Sequence, residues 1–188
     1  MSDNQVGTYK LVASPFHLDV RGKLSMGVLG KHLLNCADAY AAERGFDVVE
    51  QGGEHYTWVL SRLAIELEDL PSCHESFSIQ TWVENVYRLF ADRNFVICNK
   101  DEKPIGYVRS VWAMISMETR NPANLLDLHG DRITNSICEK ECPIAKPGRI
   151  KVSQQEAVSE YVAKYSDLDI NGHVNSIKYI EHILDIFP

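Results

Sequence analysis

Apolar residues recur along this chain with two different periods, and the points where the period changes mark its elements. From Thr8 to Phe16 the residues alternate as in a strand. Leu24, Val28, Leu29, Leu33, Leu34, Ala37 and Ala41 then mark one face of a helix, which Gly45 should stop. Between Tyr56 and Leu67, apolar Val59, Leu63, Ile65 and Leu67 alternate with polar positions such as Thr57, Arg62 and Glu66. Strand-like runs follow at Glu75–Asn85, Leu89–Asn99 and Ile105–Glu118, with the charged Lys100–Lys103 and Pro104 forming a hairpin turn. A strand, one long helix and a meander of strands predict an α+β unit, an antiparallel sheet wrapped around a central helix.

Between Asn121 and Gly148 the periodicity fails at Asn121-Pro122, Gly130, Cys142-Pro143 and Pro147-Gly148, which predicts a connection between units. Helical spacing resumes at Val174, Ile177, Ile180, Ile183 and Leu184. Just before it, Leu168-Asp169-Ile170-Asn171-Gly172-His173-Val174 matches Leu18-Asp19-Val20-Arg21-Gly22-Lys23-Leu24 at a constant offset of 150 positions. Two copies of one unit fit this pattern. The expected division is residues 1–125 as a first domain, 126–150 as linker, and 151–188 as the start of a second copy.

The stretch from Tyr165 to Tyr179 is the densest in reactive groups, and it falls where an extended segment becomes a helix. Asn171 or Asn175 could cap that helix, and first-turn N–H groups without partners can hold an oxyanion. Asp167, Asp169, Asn171 and Gly172 also open a calcium-loop pattern, but the acid that should close it is replaced by Lys178. In the first copy the positions of Asn171 and His173 are Arg21 and Lys23, so only the second keeps an amide and an imidazole.

The run Asp-Leu-Asp-x-Asn-Gly-His-Val-Asn-x-x-x-Tyr resembles the signature of hotdog-fold thioesterases, and most closely that of bacterial and plant acyl-ACP thioesterases. Gly45-Phe46, Thr57 to Leu63, Arg88-Leu89-Phe90, Ser110-Val111-Trp112 and Thr119-Arg120 follow that family in order. The resemblance implies a tandem hotdog fold with the second copy incomplete, and hydrolysis of acyl-acyl-carrier-protein thioesters to free fatty acids without metal or organic cofactor. It implies Asp169 as the carboxylate that attacks or activates water, His173 as general base or polarising group, and Asn171 as orienting residue. Backbone N–H groups near Gly172 and Val174 are the oxyanion candidates. Asn175, with Asp167, holds the turn and the helix start, Tyr179 packs, and Trp58 and Trp112 line the acyl cavity or pack the core, as does Trp82. In the family a further acid or cysteine lies beyond the position of Pro188, as do the strands of the second sheet. The chain is therefore expected to be a fragment, or to be completed by a homodimer or partner chain. The rival readings are a non-catalytic member, either an acyl-thioester binder or a truncated pseudoenzyme, and a calcium-binding module on Asp167, Asp169 and Asn171.

Composition narrows this further. At 188 residues and 45% hydrophobic the chain can bury one good core, and a net charge of −7 without a Lys/Arg-rich run argues against nucleic acid. An acidic carrier protein would need a local patch from Arg88, Arg93, Arg109, Lys146, Arg149 and Lys151. Five cysteines without C-x-x-C spacing point to reduced, mostly buried thiols. With no apolar leader and no membrane-length run, a cytoplasmic protein is expected.

Overall fold

In the computed structural model, which describes residues 5–150 and 160–187, six strands and four helices follow in order. They are β1 (Gly7–Val12), α1 (Met26–Glu43), β2 (Val49–Gln51), β3 (Glu54–Leu67), β4 (Ser76–Val86), β5 (Ala91–Cys98), β6 (Pro104–Ser116), α2 (Leu125–His129), α3 (Asp131–Thr134) and α4 (Ser176–Leu184). One antiparallel sheet runs in the order β1-β4-β5-β6-β3-β2. The expected strand to Phe16 stops at Val12, because Pro15, which has no N–H to give a ladder, opens a 3-10 turn over Pro15–His17. β2 is new. It pairs Gln51 with Glu54 across Gly52-Gly53, whose φ values of 65° and 81° suit a two-residue hairpin that glycine makes without strain.

α1 lies across one face of the sheet. Ser25 caps its start through a bond from the Val28 N–H (3.3 Å), and Gly45, at φ 68°, follows its end. One end of the helix packs Leu29, Leu33, Cys36 and Ala37 on Phe77, Ile79, Phe95, Ile97 and Val108. The other end sets Tyr40 and Ala41 with Phe46, Val83, Ala91 and Met114. Each large apolar side chain buried this way contributes about 1.5–3 kcal/mol, which is what holds a sheet curled on a single helix.

The segment whose periodicity failed packs against both faces of the sheet. Leu125, His129 and Ile133 of α2 and α3 are buried beside Tyr40 and Phe46. Beyond them the chain crosses to the outer face, where Cys138 N–H donates to Val83 O (2.9 Å) and Trp82 Nε1 to Lys140 O (2.9 Å). Cys142 and Ile144 cover Trp82, Val96 and Cys98 there. The cysteines are free thiols, three of them buried, and burial pushes Cys36 up to about 12.

Residues 160–187 rebuild the start of the first unit. A 3-10 turn at Tyr165–Asp167 and α4 from Ser176 stand 150 positions after Pro15–His17 and Met26. α4 docks on α1 over two glycines. A Cβ at Gly30 would sit 2.7 Å from Ile177 Cδ1, and one at Gly27 would collide with Glu181. Ile177 is buried at that contact, whereas Ile183, Leu184, Ile186 and Phe187 are exposed. Among the described residues, no helix is long and apolar enough to cross a membrane.

Candidate active site

Two turns of identical construction can be compared atom by atom. In the first, Asp19 N–H donates to Lys23 O (2.8 Å), Gly22 N–H to Asp19 O (3.0 Å), and Asp19 Oδ1 accepts from the N–H groups of Arg21 (2.9 Å) and Lys23 (3.3 Å). In the second, Asp169 N–H donates to His173 O (2.7 Å), Gly172 N–H to Asp169 O (3.0 Å), and Asp169 Oδ1 accepts from Asn171 (2.9 Å) and His173 (3.0 Å). Gly22 and Gly172 share a φ of 73°. An aspartate that bonds the backbone two and four residues on, followed by a glycine able to turn left-handed, specifies this loop wherever it occurs.

The difference lies in what the second carboxylate oxygen meets. Asp19 Oδ2 is held by its own Arg21, through Nε at 2.9 Å and Nη2 at 2.6 Å. That bond keeps the Asp19 carboxyl below the usual range. In the second loop the cation is replaced by Asn171, and among the described residues Asp169 Oδ2 has no hydrogen-bond partner.

Asp169, Asn171, His173, Val174 and Asn175 line one cavity of about 530 Å³ together with Trp58 and Trp112. Its other walls come from α1 through Leu34, Ala37 and Ala41, and from the sheet through Leu60, Val83 and Ala91. It is an apolar slot between helix and sheet with the polar turn along its wall. Gly172 is exposed, does not line this cavity, and its N–H is consumed by Asp169 O, so the turn removes it as an oxyanion donor. Val174 N–H, by contrast, makes no backbone hydrogen bond among the described residues.

Asn175, not Asn171, caps α4: its Oδ1 accepts from Ile177 N–H at 2.9 Å. Asp167 is buried, and its Oδ2 accepts from Lys164 N–H and Tyr161 Oη, both at 2.7 Å. Those bonds, the backbone one foremost, hold its carboxyl below the usual range. The acids of the calcium-loop pattern thus spend oxygens on their own backbone. Among the described residues, no group of three or more His, Cys, Asp or Glu is gathered that could hold a metal ion.

Two arginines in the cavity wall change the picture. Arg120, in the turn after β6, lies with Nη1 3.0 Å from His173 Nε2. Nothing in the periodicity marks a residue 53 positions away in sequence as its neighbour. Arg93, one of the cations that a surface patch for an acidic carrier would need, is only 6% exposed, donates to Thr81 Oγ1 (3.3 Å) and faces the Tyr40 ring (4.6 Å). Burial draws it down to about 10. On the opposite face of the sheet, Arg109 pairs with Glu84 (2.7 Å), and Lys146 with Glu84 (3.3 Å) and Asp92 (3.0 Å). The patch does not form from these three, Arg88 and Arg149 are exposed, and Lys151 lies outside the described residues.

A sheet curled on one helix, with a second strand-to-helix junction docked against that helix, defines a hotdog protein with the beginning of a second hotdog. Residues 9–130 match the family model of the acyl-ACP thioesterase N-terminal domain, and residues 150–188 that of the C-terminal domain. The chain belongs to the acyl-ACP thioesterase family.

Among solved structures, an acyl-ACP thioesterase from Bacteroides thetaiotaomicron is 61% identical with a TM-score of 0.90, covering 100% of this chain and 76% of that one. The 12:0-ACP thioesterase from Umbellularia californica shares the fold at 17% identity, with a TM-score of 0.77 over 98% of this chain and 71% of that one. A chloroplastic palmitoyl-acyl carrier protein thioesterase from Gossypium hirsutum is 26% identical over 82% of this chain. A chloroplastic oleoyl-acyl carrier protein thioesterase from Arabidopsis thaliana is 30% identical over 71%. The chain spans 39% of the length of each of these two plant proteins.

Proposed function

We propose that this protein hydrolyses acyl thioesters carried on acyl carrier protein and releases free fatty acids. The observation that supports the reading is the position of Asp169, Asn171 and His173 on the wall of an apolar cavity enclosed by α1 and the sheet. The acyl chain lies in that cavity, beside Trp58 and Trp112. In one route Asp169, through the oxygen not used in the turn, activates a water that adds to the thioester carbonyl carbon, and the carbon–sulfur bond breaks as the tetrahedral adduct collapses to the acid. In the other Asp169 itself attacks, the carbon–sulfur bond breaks to leave an acyl-aspartyl anhydride, and water then hydrolyses it; in both the carrier takes up a proton and leaves as a thiol. Asn171 orients the water or the imidazole, His173 acts as base or polarising group, and the N–H of Val174 is the remaining backbone donor for the oxyanion.

In this reading residues 1–125 bind the acyl chain, 126–150 link, and 151–188 begin the catalytic unit. The exposed face of α4 carries Ile183, Leu184, Ile186 and Phe187 and is where strands of the second unit pack, from further chain or from a second polypeptide. The test is thiol release from acyl-ACPs and acyl-CoAs of graded chain length. A rate on acyl-ACP above the uncatalysed background is expected, and a rate equal to it overturns the proposal.

One observation favours a second reading, a non-catalytic acyl-thioester binder. Asp169 makes the same turn bonds as Asp19, which lies in the copy without the amide and the imidazole. Calorimetric binding of an acyl-ACP or acyl-CoA with no release of thiol would establish it.

A further inference from the structure

Arg120 belongs to the first unit, while the residues it meets belong to the second. β6 ends in a tight reversal in which Ser116 N–H donates to Asn121 O (3.0 Å), Arg120 N–H to Ser116 O (2.9 Å) and Thr119 N–H to Ser116 Oγ (3.1 Å). The reversal places Arg120 at φ 62°, a left-handed conformation that costs a non-glycine residue on the order of 1 kcal/mol. Glycine would turn there more easily, and His74 and Glu102 take the same conformation in other turns, so the backbone alone assigns Arg120 no role; its side chain does. That side chain reaches the cavity wall and ends 3.0 Å from His173 Nε2. Among the described residues, its guanidinium pairs with no carboxylate.

A guanidinium has five donors and no acceptor. Its contact with an imidazole nitrogen is a hydrogen bond only when that nitrogen carries a lone pair, so Nε2 accepts and the ring proton sits on Nδ1. We infer that Arg120 is a positioning residue that holds His173 as the neutral Nδ1–H tautomer. Building on the thioesterase reading, this decides between the two roles open to His173. With Nε2 engaged, the ring offers a proton rather than a lone pair. It therefore polarises the thioester carbonyl and stabilises the oxyanion, leaving Asp169 as the group that activates water or attacks. The cavity wall of the first unit thereby sets the protonation geometry of the second.

The test uses the intact chain with Arg120→Met, which keeps most of the aliphatic stem, and Arg120→Lys, which keeps a donor. Long-range nitrogen–proton correlation spectra of His173 read the tautomer directly. The unsubstituted chain should show the Nδ1–H pattern, Arg120→Met should move to Nε2–H or a mixture, and Arg120→Lys should restore part of the Nδ1–H signal. On acyl-ACP, Arg120→Met should lower kcat roughly tenfold to a hundredfold, part of what a positioned acid–base group contributes, with little change in KM. An unchanged tautomer in Arg120→Met overturns the inference, including where melting temperature and rate fall together, since a purely structural tie would do that. If the unsubstituted chain hydrolyses nothing, the function proposed above falls, while the spectra still decide what Arg120 does to His173.

Discussion

Asp19 and Asp169 are a natural control for each other. Both carboxylates accept two backbone N–H bonds within the same turn, so replacing either by alanine should cost about 1 kcal/mol of stability, the ordinary loss for a local side-chain-to-backbone bond. Only the second should affect thioester hydrolysis. Denaturant midpoints and acyl-ACP rates measured on Asp19→Ala and Asp169→Ala would show it. At this scale the chain could be read well for groups close together in sequence. The Asp-x-Asn-Gly-His-Val-Asn run carried a turn, a cluster of polar groups and, in its last residue, one of the two cap candidates, because an aspartate two and four residues from its backbone partners and an asparagine two residues from its own act locally. What stayed hidden were the groups the tertiary fold supplies: Arg120, and the burial of Arg93 beneath α1. A charged residue in a strand does not declare which face it takes until its neighbours do. Arg93 lies opposite Ser110, and Arg109 opposite Asn94, which puts the two arginines on opposite faces of the sheet.

At the scale of elements, the docking of α4 on α1 brings the Asp169 turn to the cavity. Gly30 makes room for Ile177, and the added methyl of Gly30→Ala would meet three of its side-chain atoms within 2.9 Å. Overpacking of this kind costs about 1–3 kcal/mol or displaces the helix. The expected outcome is a lower melting temperature together with a disproportionate fall in acyl-ACP hydrolysis, while Gly148→Ala, with nothing within 4 Å of the new methyl, changes neither. The strands, α1 and the repeat of the turn could all be anticipated from periodicity, since each buries one face. β2 escaped because three residues are too few to show a period. α2, α3 and the outer strap escaped because their contacts are single residues such as Leu125, Ile133 and Ile144, separated by Pro and Gly, with no repeat to detect.

For the molecule as a whole, one buried histidine couples the fold to pH. His129 is 2% exposed, stacked on Trp58 with ring centroids 5.8 Å apart and edge-on to Phe46. Burial lowers it from 6.5 to about 4, aided by the nearby Arg132. Between those values the unfolded chain binds the proton and the folded one does not, so stability rises with pH across the window. It is fully present above about 6.5 and is lost as pH falls toward 4. Melting temperatures from pH 7 to pH 4 should fall, and His129→Gln should flatten that slope; equal slopes would show that another group governs the acid limb.

The cavity, the Asp169 oxygen that has no hydrogen-bond partner among the described residues, and the junction with His173 come together in a single substitution. Asp169→Asn keeps an Oδ1 that can accept the N–H bonds of Asn171 and His173, so the turn and the melting temperature should persist while the charge is removed. Single-turnover release of fatty acid from acyl-ACP by this variant is expected to fall by at least about a hundredfold relative to the unsubstituted chain, as for loss of a positioned base. Release at the same rate by a variant that melts at the same temperature would contradict a catalytic Asp169.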